Sequence, residues 1–170
     1  RSLVGSEMCI RDRYKFLSGL AKGVTHCIFR VKVVGKENVP KDGGMILAVN
    51  HKSNWDPIFA GAYCPRPLRF MAKADLFKNK LFGGLIKKLG AFPIQRGRGD
   101  IGAIKGAFSI LKNNDAMLIF PEGHRIKNGK RVKAKLGVSM IAVHAEVPVI
   151  PLCISGEYLS LIHISEPTRL

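Results

Sequence analysis

A histidine and a carboxylate, His51 and Asp56, stand five residues apart in Asn50-His51-Lys52-Ser53-Asn54-Trp55-Asp56. Within one loop that spacing lets the carboxylate hold one ring nitrogen. Such a contact fixes the tautomer, stabilises the imidazolium and leaves the other nitrogen as a general base. A surface histidine followed by Asp56 as a helix cap has the same spacing. A second cluster, Pro93-Ile94-Gln95-Arg96-Gly97-Arg98-Gly99-Asp100, sets Arg96 among glycines. Arginine there can grip a phosphate bidentately without obstruction, although a solvated basic loop or a nucleic-acid backbone contact fits the same residues. In the third, Phe120-Pro121-Glu122-Gly123-His124-Arg125, a carboxylate follows an apolar run, a glycine permits close backbone approach, and Arg125 supplies fixed charge. The alternative for this cluster is a structural ion pair between Glu122 and an arginine. A fourth, Val147-Pro148-Val149-Ile150-Pro151, is either a proline-broken core strand or an apolar wall for a ligand.

Each of the three polar clusters directly follows a short apolar run. Met45 to Val49 predicts a buried strand that stops at Asn50-His51, Ala91 to Ile94 a short strand before Arg96, and Ala116 to Phe120 the clearest buried strand, cut by Pro121. Cys27 to Val34, ending at Gly35, Arg69 to Ala72 and Val147 to Ile154 also read as strands. Helices are expected at Tyr14 to Thr25, at Pro57 to Tyr63 with Asp56 as N-cap, at Leu76 to Leu89 closed by Gly90, from Asp100 to Lys112, and at Leu136 to Ala145. Lys127 to Lys135 is a basic loop broken by glycine. Strands alternating with helices argue for an α/β layer architecture. In an open sheet of that kind the ligand crevice lies outside the carboxyl ends of the strands, which is where the three polar clusters fall.

With 170 residues the chain fits one domain. A hydrophobic content of 46% excludes disorder, and no run of about 18 apolar residues predicts a membrane-spanning helix. The net charge of +16 calls for an anionic partner: nucleic acid, an anionic membrane or a phosphorylated substrate. No helix-turn-helix, zinc-finger or RNP-type pattern supports nucleic acid. No metal is expected, because no cluster has ligand spacing. Cys27, Cys64 and Cys153 are dispersed and read as free thiols. His26 and His144 belong to no cluster and read as structural or surface residues.

The two ends have a different signature. A DNA element that encodes Leu159 to Arg169 encodes Leu3 to Asp12 when read on its complementary strand in a shifted frame. The element resembles a transposase adapter used in sequencing libraries. Residues 1–13 and 159–170 are therefore expected to be non-native tails, and residues 14–158 a single domain truncated at both ends. Without four arginines and three acidic residues of the tails, the net charge is +15.

In order and spacing the four clusters resemble the four blocks of the glycerolipid acyltransferase family, the lysophosphatidic acid acyltransferases in particular. NHKSNWD is similar to that family's NHxSxxD, GAFPIQR to its second block ending in arginine, FPEGHR to FPEGTR, and VPVIP to its fourth block; Lys135-Leu136-Gly137 resembles the Lys-x-Gly that follows the third. The resemblance covers most of residues 28–156. It implies an α/β fold with a mixed, largely parallel sheet flanked by helices, and transfer of a fatty acyl group from acyl-CoA or acyl carrier protein to the hydroxyl of lysophosphatidic acid, giving phosphatidic acid. His51 would be the base and Asp56 its partner. Arg96, Glu122, Gly123, His124 and Arg125 would bind the acceptor, and Val147, Pro148, Val149, Ile150 and Pro151 would line the acyl pocket. No bound cofactor is implied. The implied location is the cytoplasmic face of a membrane, peripheral or held by a preceding segment. Lys78, Lys80, Lys87 and Lys88, beside Leu76, Phe77, Leu81, Phe82, Leu85 and Ile86, are a candidate membrane surface or a helix facing its own core. The family usually has threonine where this chain has His124, which leaves glycerol-3-phosphate or another lysophospholipid open as acceptor. A basic nucleic-acid or lipid-binding module without catalysis is the reading of another class.

Overall fold

The computed structural model describes residues 3–94, 101–126 and 132–156. Five helices and five strands alternate along them. Helix α1 spans Leu3–Ile28 and is followed by strand β1 (Met45–Val49), α2 (Asp56–Tyr63), β2 (Leu68–Lys73), α3 (Lys80–Lys88) and β3 (Ala91–Ile94). Then come α4 (Ile101–Lys112), β4 (Ala116–Ile119), α5 (Gly137–Ala145) and β5 (Val149–Leu152). The strands form one sheet in the order β3-β2-β4-β1-β5. Every pairing is parallel, so the antiparallel element of the expected mixed sheet is not found among the described residues.

Strands buried on both faces read as continuous apolar runs. β1 (MILAV) and β4 (AMLI), paired at the centre, are of this type. Their side chains alternate between two cores. Met45, Leu47 and Val49 join Ala116 and Leu118 with Ala60 of α2 on one face. Ile46, Met117 and Ile119 join Ala107 and Leu111 of α4 and Ile141 and Ala142 of α5 on the other. Met45, Ile46, Val49 and Met117 are fully buried, and each such side chain contributes roughly 1.5–3 kcal/mol.

Helix α1 is tied to α2 by two hydrogen bonds: the Tyr14 hydroxyl donates to the Gly61 carbonyl at 2.7 Å, and the hydroxyls of Thr25 and Tyr63 lie 3.0 Å apart. Thr25 is fully buried, and burial pushes the Tyr14 phenol well above its usual range. α1 also runs further than the sequence suggests, ending at Ile28. The strand expected from Cys27 to Val34 is therefore absent; the chain continues past Phe29 without joining the sheet. β-branched composition favours extended backbone, but a strand needs a partner ladder, and none reaches this segment among the described residues.

Three other boundaries move. The helix expected from Leu76 to Leu89 is split into a 3-10 turn, Ala74–Phe77, and α3. Gly83 packs directly on the turn: a Cβ there would lie 2.8 Å from the Phe77 backbone. Ile86 and Phe77 face the core, which makes at least this side of α3 structural. The last strand covers only Val149–Leu152 of the expected Val147 to Ile154. Finally, Asp56 is not an N-cap. Trp55 holds that position without a side-chain bond, and Asp56 opens the helix with its carboxylate committed elsewhere.

Candidate active site

Because the strands are parallel, the ends of β1 and β4 lie side by side at one edge of the sheet. His51 follows β1 and Phe120 follows β4. The two rings stack, with centroids 4.0 Å apart and planes 21° from parallel. Below the imidazole, Asp56 is 1% exposed. Its Oδ2 lies 3.0 Å from His51 Nδ1 and also accepts the backbone N–H groups of Lys52 at 2.6 Å and Ser53 at 2.7 Å. Two amides and a ring nitrogen thus converge on one oxygen. A buried carboxylate held in this way is compensated by donors. A carboxylate at that position favours the tautomer with the proton on Nδ1, and Nε2 has no hydrogen-bond partner among the described residues.

The turn after β4 completes the edge. The Ile126 N–H donates to the His51 carbonyl at 2.8 Å, and the Lys135 N–H donates to the Pro121 carbonyl at 2.9 Å. Between those anchors Gly123 takes φ +71, a left-handed conformation that favours glycine. Glu122 makes no ion pair with Arg125; its Oε2 is buried without a hydrogen-bond partner. A buried carboxylate oxygen without a donor is costly, and a ligand hydroxyl would satisfy it. His124 and Arg125 are exposed. Arg96 lies outside the described residues; Ile94, two positions earlier, ends β3 at the same sheet edge, with β2 between β3 and β4.

The fourth cluster is less uniform. Val147 packs on the core beside α4 and α5, Ile150 on the opposite core, and Pro148, Val149 and Pro151 are exposed. Among the described residues β5 pairs only with β1, which places Pro151 on the edge strand of the described sheet, where a missing N–H is tolerated. A cavity of about 450 Å³ lies instead between Phe29, Val31, Val33, Phe59 and Tyr63 on one side and Leu152 to Gly156 on the other. None of residues 147–151 lines it.

Two contributors lie outside the expected set. Asn50 donates from Nδ2 to the Ile154 carbonyl at 2.9 Å and accepts the Ile154 N–H on Oδ1 at 2.7 Å, joining the ends of β1 and β5. Phe120 braces the imidazole. Burial raises the thiol pKa of Cys64, while Cys27 and Cys153 are exposed. Among the described residues no group of histidine, cysteine or acidic side chains forms a metal site.

Residues 30–155 match the acyltransferase family. The chain belongs to that family. Its relatives carry more specific names. It is 35% identical over 144 residues to the 1-acyl-sn-glycerol-3-phosphate acyltransferase of Bacillus subtilis, covering 84% of this chain and 71% of that protein. It is 40% identical over 118 residues to the protein of the same name from Streptococcus pneumoniae, covering 68% of this chain and 43% of that one. The crystal structure of the 1-acyl-sn-glycerophosphate (LPA) acyltransferase PlsC from Thermotoga maritima superposes with a TM-score of 0.74 at 31% identity, covering 86% of this chain and 59% of that one. The five-stranded sheet with helices on both faces is thus the fold of an acyltransferase, and His51, Asp56 and the Glu122 turn all lie within the matched segment.

Proposed function

We propose that this acyltransferase moves a fatty acyl group from an acyl thioester to the hydroxyl of lysophosphatidic acid, forming phosphatidic acid. The observation that carries the reading is the bond from His51 Nδ1 to buried Asp56, which leaves Nε2 as base at the carboxyl edge of a parallel sheet. Nε2 removes the hydroxyl proton as the oxygen attacks the thioester carbonyl. The tetrahedral intermediate collapses, the C–S bond breaks, and the imidazolium returns its proton to the departing thiolate. Asp56 stabilises the imidazolium between the two steps. No covalent enzyme intermediate is needed, since the nucleophile is the acceptor's own hydroxyl. Acyl-CoA and acyl carrier protein are both suitable donors. Glu122, His124, Arg125 and Arg96 serve the acceptor, and the Val147 to Pro151 segment borders the acyl chain. The relatives named for 1-acylglycerol-3-phosphate support this acceptor.

The site of action is the cytoplasmic face of a membrane. Phe16, Leu20, Val24 and Ile28 recur every fourth residue along α1 and are all at least 45% exposed, beside Lys15 and Lys22. An apolar stripe with basic flanks suits an anionic lipid surface.

The test uses the full natural protein in membranes, with a long-chain acyl thioester and lysophosphatidic acid. Thiol release and phosphatidic acid are followed together, with His51→Ala alongside. Product that vanishes in the variant is expected. Product that persists removes His51 from the mechanism, and thiol release only with another lysolipid moves the acceptor.

A further inference from the structure

We infer that Lys135 is a phosphate-binding residue of the acceptor site, an inference that rests on the acyl-transfer reading above. Lys135 ends the basic loop and precedes α5 by two positions, far in sequence from the loop that carries His51. Its backbone is pinned to the turn after β4 through the Pro121 carbonyl. Its side chain then lies across that turn: a Cβ on Gly123 would stand 2.9 Å from Nζ, 3.0 Å from Cε and 3.3 Å from Cδ. The glycine therefore has two duties. It takes the left-handed conformation that the turn requires, and it leaves the space that the lysine stem occupies.

A lysine in such a place is ordinarily explained by a carboxylate partner. Glu122 is the adjacent candidate, yet no ion pair engages Lys135 among the described residues, and Glu122 Oε2 stays buried without a donor. The ammonium is thus an uncommitted cation above a turn whose other end is hydrogen-bonded to the residue carrying the base. α5 begins next to it with no side-chain cap, so the positive end of a helix adds to the preference for an anion. The anion that arrives at this edge in the proposed reaction is the phosphate of the acceptor.

Lys135→Ala and Lys135→Arg in the full-length protein decide the matter. Loss of one charge-assisted hydrogen bond should raise the KM for lysophosphatidic acid about 10- to 100-fold, while kcat and the KM for the acyl thioester change by no more than about threefold. The arginine variant should recover most of the loss, because it restores charge. The Ki of glycerol-3-phosphate as a competitor should rise in parallel, and the Ki of phosphate-free monoacylglycerol should not. An unchanged KM for lysophosphatidic acid in Lys135→Ala overturns the assignment. So does an equal rise for phosphate-free and phosphorylated ligands, or a fall in kcat at constant KM. A wild-type protein that turns over no lysophosphatidic acid refutes the proposed acceptor on which the inference rests, a result distinct from active wild type with an indifferent Lys135→Ala. Lys135 is exposed, so an unaltered thermal unfolding midpoint separates loss of binding from loss of fold.

Discussion

Replacing Asp56 by Asn removes one charge from the base of the site and changes little else in volume. The carboxylate oxygen lies 3.0 Å from His51 Nδ1 and is 1% exposed. At that distance a full ion pair amounts to about 5–6 kcal/mol at an effective dielectric of ~20. The transition state carries only part of a positive charge on the imidazole, and the amide keeps a dipole toward the ring. The expected loss is therefore about 3–4 kcal/mol, or roughly 10²- to 10³-fold in kcat. Asparagine can also present its NH₂ to the ring and favour the wrong tautomer, which pushes the loss toward the upper figure. The Lys52 and Ser53 amides lose a charged acceptor as well, so a fall in stability of about 1–3 kcal/mol accompanies the change. Rates are measured with saturating acceptor in the full-length protein, and unfolding midpoints report the structural share. Because Asp56 acts through His51, the double variant with His51→Ala should be no slower than His51→Ala alone. A retained kcat within about threefold of wild type would refute the assignment of Asp56. A double variant much slower than His51→Ala would show that Asp56 serves the reaction by another route.

Two further outcomes follow from the surface. The ion pairs to Lys73 and Lys78 hold the exposed Asp75 carboxyl down at about 2, against an ordinary 3.8. A depressed carboxylate contributes stability that is present above its unfolded pKa and lost as pH falls through the folded one, so the window lies between about pH 4 and pH 2. NMR titration should place the Asp75 midpoint there and return it toward the ordinary value in Lys73→Ala combined with Lys78→Ala; an unshifted midpoint in the wild type would remove the pairs from solution. On α1, Leu20→Glu puts a charge into the exposed stripe, and binding to anionic vesicles should fall at least about tenfold, since one buried leucine is worth roughly 1.5–3 kcal/mol. Sedimentation with vesicles checks this, and unchanged partitioning would move the membrane surface elsewhere.

The sequence is most legible where one local rule acts alone. The runs MILAV and AMLI predict buried strands because a central parallel strand must be apolar on both faces, and they sit within a residue of the observed β1 and β4. The spacing of His51 and Asp56 is equally local. Six residues of loop can place a carboxylate against an imidazole without help from the rest of the fold, and the observed contact is of that kind. Legibility fails where two rules compete for one residue. Asp56 has the type and place of an N-cap, yet its carboxylate closes the preceding loop and Trp55 takes the cap position. Cys27 to Val34 has strand composition, yet α1 consumes its start because Thr25 is buried against α2, and no ladder receives the remainder.

What the sequence conceals altogether is what only a sheet can bring together. Asn50 and Ile154 exchange two hydrogen bonds across a sequence separation of 104, and nothing in either local window announces it. The same holds for Phe120 against His51, and for Lys135 over Gly123. These contacts share one origin. All five strands run the same way, so everything that leaves a carboxyl end arrives at one edge, however far apart it lies in the chain. The loop after β1 brings His51, the turn after β4 brings Glu122, and the chain entering α5 doubles back over that turn with Lys135. The His51 and Asp56 pair read from sequence thus stands beside a turn that buries Glu122 Oε2 without a hydrogen-bond partner, and beside a Lys135 ammonium that makes no ion pair among the described residues. That juxtaposition is what the proposed general base with a phosphorylated acceptor requires and a histidine with a structural aspartate does not.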